Sequence, residues 1–127
     1  MGLDTYAVYG RNHHKFRELG NNNIPDELFP KNKLCGGMFS GGGNSFRGKV
    51  YADYVEWATS ISLYEETIDS DMVKVMAEQL NAVTEEDFNQ WDSSKSNNWN
   101  ITYDEAKDLA KWFSVVASEG GSVVGWW

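Results

Sequence analysis

Hydrophobic and polar positions change their period several times along the 127-residue chain. From Leu3 to Tyr9 they alternate, and Thr5, Tyr6 and Val8 suit a pleated surface, which predicts a strand ending at Gly10. Residues 11–23 are polar and close on Asn21, Asn22 and Asn23, a loop signature. Pro25 can open one helical turn, because a first turn leaves its N–H unused, and Pro30 stops that turn after Phe29. Leu34 to Phe39 is an apolar run broken by Gly36 and Gly37. Half of the twelve glycines lie between Gly36 and Gly48.

Beyond this glycine-rich stretch the period becomes helical. Phe46, Val50, Tyr54 and Trp57 form one stripe with Tyr51, Val55 and Ala58 beside it, and Asn44 or Ser45 is placed to cap the helix. Ile61 to Tyr64 reads as a second strand or a plain connection. Met72, Val73, Met76 and Leu80 predict a helix over 70–83. Thr84 can cap a short helix holding Phe88 and Trp91, with Asp87 adding a charge that suits the helix dipole. After the polar stretch Asp92 to Asn100, Thr102 and Glu105 have the spacing of a capping box, and Ile101 and Ala106 that of a weak staple. Ala106, Leu109, Ala110, Phe113 and Ala117 continue the stripe until Gly120 and Gly121 end it, and Val123 to Trp127 is a terminal strand candidate. There is no internal repeat. Residues 1–127 read as a single α+β domain: three to four helices packed on a small sheet in which the N- and C-terminal strands are candidate partners.

Composition narrows the class. No apolar run approaches the ~18 residues of a membrane span, and the first residues lack the basic and apolar regions of an export signal. Gly2 does not sit in a myristoylation pattern, since Tyr6 stands where Ser or Thr is needed. The single Cys35 excludes an internal disulfide and a cysteine-based zinc site. These features predict a cytoplasmic protein without a membrane partner. The net charge of −8 argues against a long nucleic acid, whose affinity comes mainly from phosphate contacts. That average conceals a division. Residues 1–49 hold seven basic and four acidic side chains, a net +3, whereas residues 50–127 hold four basic and fifteen acidic ones, a net −11. The front can therefore suit an anionic ligand and the rear a cationic partner, although acidic helix surfaces also serve solubility alone.

The pattern richest in chemistry is Gly43-Asn44-Ser45-Phe46-Arg47-Gly48-Lys49-Val50, which matches the phosphate-loop spacing G-x-x-x-x-G-K but has Val50 where Ser or Thr would hold a magnesium ion. Such a loop needs backbone N–H groups free to face phosphate oxygens, a lysine, and a helix whose positive end meets the anion. The stretch reads in three ways: a nucleotide hydrolase, an anion cradle, or a surface turn whose Arg47 and Lys49 pair with acidic helices. As a cradle it comprises Gly41, Gly42, Gly43, Asn44 and Ser45 as backbone donors, Arg47 and Lys49 as charges, and Tyr51 and Tyr54 as stacking rings.

Other constellations are thinner. Ser94 to Glu105 approximates a calcium loop, but its first position lacks a carboxylate and Trp99 occupies the glycine position. His13 and His14 are adjacent and so point apart. Cys35 is a nucleophile only if a histidine reaches it. Asp53 with Glu56, and Glu65, Glu66, Asp69 and Asp71, are carboxylates that can hold metal or simply coat helices. No nucleophile–base–orienter set is visible, so a catalytic role has no support, and no cofactor is implied. Trp91, Trp99, Trp126 and Trp127 lie in polar contexts; core packing accounts for most such residues, and any left exposed suit base stacking or a protein interface.

The segments MGLDTYA (1–7), LCGGMFSG (34–41), SFRGKVY (45–51), SLY (62–64) and VGWW (124–127) resemble a family of short bacterial and tailed-phage proteins, cyanophage members included, that carries no assigned function. The likeness spans nearly the whole chain and departs in the polar residues 11–33. A phage setting implies a small accessory protein in the host cytoplasm that binds a host component or sequesters a defence signal. Three functions are thus expected in order: a non-enzymatic binder of a phosphate-bearing small molecule, such as a sponge for a nucleotide-derived immune signal; an acidic module that inhibits a host protein or mimics nucleic acid; and a small metal-dependent enzyme. A terminal strand and many aromatics also permit a homodimer.

Overall fold

In the computed structural model, residues 3–9, 24–30, 34, 43–65, 67–95 and 100–126 are described, Trp126 by its backbone alone. Among these residues four α-helices accompany a sheet of four antiparallel strands, an α+β fold. The strands are β1 (Asp4–Val8), β2 (Ser45–Arg47), β3 (Thr67–Ile68) and β4 (Ser122–Trp126), in the spatial order β2-β1-β4-β3. The two terminal strands pair along their whole length, from Asp4 opposite Trp126 to Val8 opposite Ser122. β4 is flanked by β1 along its whole length and by β3 at Val123 and Val124. Leu3 and Ala7 face the helical core, while Tyr6, Val8 and Val124 are buried as well, so neither face of the central strands is left to water.

The helices are α1 (Gly48–Thr59), α2 (Ser70–Asn81), α3 (Glu85–Ser94) and α4 (Tyr103–Ser118). Both predicted caps are complete boxes. Thr84 accepts from the Asp87 N–H and Thr102 from the Glu105 N–H, and each acid accepts the cap residue's own N–H. α2 packs chiefly against α4, where Asn81 Nδ2 donates to Ser114 Oγ across the two helices at 2.9 Å. The core joins Val73, Met76 and Leu80 of α2 to Leu109, Phe113 and Val116 of α4. Met72, placed by its spacing on the buried face, is exposed, because the buried arc of α2 runs through Val73, Met76, Ala77 and Leu80.

One local expectation is corrected, and one open alternative is decided. Asn44 and Ser45 do not cap α1: Ser45 to Arg47 pair with β1 as a strand, and Arg47 becomes the N-cap. Phe46 keeps its place in the core but reaches it from the sheet. Ile61 to Tyr64 is a connection, and the strand forms later, at Thr67–Ile68, where two residues pair with β4. The turn opened by Pro25 is a short 3-10 helix, Asp26–Leu28. No helix among the described residues is long and apolar enough to cross a membrane.

Candidate functional site

The glycine-loop motif leads from its last loop residues through β2 into α1, and its polar backbone is largely engaged. The Asn44 N–H donates to Asp26 Oδ1 at 2.7 Å, and Asn44 Nδ2 donates to the Ile24 carbonyl at 2.7 Å. The Ala7 N–H donates to the Asn44 carbonyl, and Trp112 Nε1 donates to the Gly43 carbonyl at 3.0 Å. At the helix start the Gly48 N–H donates to the Leu3 carbonyl at 2.8 Å. Both described glycines of the motif are required by close approach. A Cβ on Gly43 would lie 2.2 Å from Asp26 Oδ1, and one on Gly48 2.2 Å from Thr5 Oγ1. The spacing that resembles a phosphate loop therefore has a packing explanation. A carboxylate, moreover, already holds the Asn44 N–H that an anion would need.

The other residues of the expected cradle separate by environment. Gly41 and Gly42 lie outside the described residues, as do His13, His14, Cys35, Glu66, Trp99 and Trp127. Ser45 is buried in β2, Arg47 is exposed at the edge strand, and Lys49 is half-buried in the first turn of α1. Tyr51 is fully buried; its ring meets Phe46 edge-on, and its hydroxyl donates to Glu105 Oε2 at 2.5 Å. Tyr54 is buried among Trp57, Phe88 and Trp91, with ring centroids 5.1–5.9 Å away. Neither ring presents a face on which a base could stack. Glu105, the last position of the calcium-like loop, is engaged by the capping box and by Tyr51. Among the described residues no three His, Cys, Asp or Glu side chains gather as metal ligands would.

A different arrangement emerges where α1 meets α3. Tyr54, Trp57, Phe88 and Trp91 form one aromatic cluster, with Trp57 and Trp91 centroids 6.2 Å apart. Of these only Trp57 is open to solvent, at 45% exposure. The helical stripe predicted burial for Trp57, whereas core packing was the expected role of most Trp residues in polar contexts, Trp91 among them. Trp91 is buried in that way, and because it and Tyr54 fill the inner layer, Trp57 is left outside. The exposed carboxylates Asp53 and Glu56 precede Trp57 on α1. Lys95 Nζ lies 5.3 Å from the Trp91 ring centroid and 2.7 Å from Asp92 Oδ1, an ammonium held between a ring and a carboxylate.

No protein-family model matches the chain, and no curated protein or solved structure matches it either.

Proposed function

We propose that the protein is a non-catalytic interaction module whose acidic helical surface receives a Lys- or Arg-rich segment of a partner protein, with Trp57 as the anchor. The observation that carries this reading is a large aromatic side chain left half-exposed on a rigid aromatic base in the segment of net charge −11. Tryptophan is the strongest cation–π face, and half-buried Trp residues are over-represented among interface hot spots. The Lys95–Trp91–Asp92 contact is the same recognition made within the chain: a cation over a ring, beside a carboxylate. In a phage setting the partner would be a basic host protein. Titration with an Arg/Lys-rich peptide should show binding that weakens steeply between low and moderate salt, as screened attraction requires. Trp57→Ala should lower that affinity by about 5–30-fold, the loss of about 1–2 kcal/mol, with little change in stability. Binding that ignores both salt and Trp57 would remove the proposal.

The phosphate reading of the front of the chain retains one specific support. The first turn of α1 carries no acidic residue and no side-chain cap, and Arg47 and Lys49 border it. A phosphate group seated there would draw on these two charges. Titration of ATP and of inorganic phosphate against Arg47→Ala and Lys49→Ala decides this: weaker binding in both variants supports it, and unchanged affinity excludes it.

A further inference from the structure

The acidic segment 50–127 has only four basic side chains, Lys74, Lys95, Lys107 and Lys111. Lys95 is held at Trp91. The other three line two adjoining depressions along the contact of α2 with α4, which meet at Asn81. The first has a volume of about 220 Å³ and is walled by Leu80, Val83, Tyr103 and the alanines of α4, with Lys107 and Lys111 one helical turn apart on its rim. The Lys107 Nζ stands over the Tyr103 ring at 5.1 Å and pairs with Asp104 at 3.4 Å. That ion pair is half-exposed on both sides and is easily exchanged for another anion. Lys111 makes no ion pair among the described residues.

Tyr54 supplies a second, independent observation. The residue is 1% exposed, yet it forms part of the lining of this cleft, and its hydroxyl has no hydrogen-bond partner among the described residues. Without a protein acceptor, a phenol left open toward a cleft is a donor that a ligand acceptor can take over from water. Burial, reinforced by Tyr103 and Asp87, pushes the Tyr54 phenol up, so it remains a neutral O–H donor. One O–H, two ammonium groups and apolar walls are the complement of an oxyanion carried on a small hydrophobic body. The volume lies below the ~300–1,000 Å³ of pockets for drug-sized ligands, which restricts that body to about one ring or a short chain.

We propose that this cleft binds a small organic oxyanion, with the Tyr54 hydroxyl, Lys107 and Lys111 as donors and Tyr103, Leu80 and Val83 against its apolar part. The site shares Tyr54 with the aromatic cluster beneath Trp57 but opens along α2 and α4, and it does not depend on the reading given for the Trp57 surface. The test is an NMR titration of the whole chain with four probes: phenylacetate, phenyl phosphate, benzyl alcohol and inorganic phosphate. One of the two aromatic anions should bind with amide shifts confined to residues around 80–83 and 103–111. Its affinity should exceed that of either benzyl alcohol or inorganic phosphate by about 10-fold or more, because each control lacks half of the recognition. The preferred aromatic anion identifies the ligand as a carboxylate or a phosphate ester. Tyr54→Phe keeps the ring packing and removes the donor; it should weaken binding by about 10-fold without lowering the melting temperature. Lys107→Gln with Lys111→Gln, on an exposed rim, should weaken it further in a folded protein. No saturable shift up to about 10 mM, or affinity unchanged in Tyr54→Phe, overturns the proposal.

Discussion

Replacing Trp112 by Ala is expected to cost about 3–5 kcal/mol of stability, the largest effect of any single side chain considered, because a fully buried indole leaves a cavity that its neighbours cannot fill. Trp112 stacks on Phe29 at 5.6 Å and meets Phe46 and Phe113 edge-on at 4.8 and 5.1 Å, while its Nε1 donates to the Gly43 carbonyl at 3.0 Å. One side chain of α4 thus fastens the 3-10 turn, β2 and the end of the glycine-rich stretch. Urea denaturation followed by far-UV circular dichroism should show a lower midpoint with little change in slope. Trp112→Phe separates the two contributions: it keeps much of the ring packing and loses the hydrogen bond, so it should cost about 1–2 kcal/mol beyond its smaller volume loss. A Trp112→Ala penalty below about 1 kcal/mol would mean that the loop is anchored by other contacts.

The second large effect is expected at Gly121 and is sharpened by comparison with its neighbour. α4 ends in a Schellman motif: the Gly121 N–H donates to the Val116 carbonyl at 2.9 Å and the Gly120 N–H to the Ala117 carbonyl at 3.1 Å. Gly120 has φ +67°, and a Cβ there would meet nothing within 4 Å. Its requirement is conformational, so Gly120→Ala should cost about 1 kcal/mol. A Cβ on Gly121 would lie 2.6 Å from the Val8 carbonyl oxygen of β1 and 2.7 Å from Ile24 Cδ1. Backbone in a paired strand cannot give way cheaply, so Gly121→Ala should cost about 2–3 kcal/mol. Equal penalties in the two variants, read from urea midpoints, would contradict this division.

Local signals in the sequence carried a large part of this fold. Thr102 with Glu105, Thr84 with Asp87, and the stop at Gly120-Gly121 each act within one helical turn, where the responsible groups are close in sequence. The alternation at Leu3 to Tyr9 and the terminal strand were legible for the same reason. What could not be read was set by distant partners. Ser45 to Arg47 became a strand because β1 lies alongside, although the same residues fit the helical stripe that follows. Gly43 and Gly48 fit a phosphate loop by spacing. Nothing near them in sequence revealed that Asp26, Leu3 and Thr5 would press against them. Tyr51 and Tyr54 read as stacking rings beside the glycine loop, because helical periodicity cannot tell a ring that faces a ligand from one that packs under α3 and α4. Lys107 and Lys111 carry no signal in the sequence, because an i, i+4 lysine pair on an amphipathic helix resembles an ordinary solvated face. Only the position of α2 and of the Tyr54 hydroxyl distinguishes it.

The sheet order β2-β1-β4-β3 contains no pair of strands that follow each other directly without a long intervening stretch. β1 meets β2 only after the chain has passed through the 3-10 turn, and it meets β4 only after all four helices. Every ladder therefore closes a large loop, and the entropy of that closure is lost before any strand hydrogen bond is gained. The α2–α4 pair closes a shorter loop, spanned by α3, and α3 and α4 both start from complete capping boxes. A helical nucleus onto which β1 and β4 dock later is therefore the expected folding order, with substitutions in the α2–α4 contact slowing folding and those in the β1–β4 ladder mainly speeding unfolding in stopped-flow measurements.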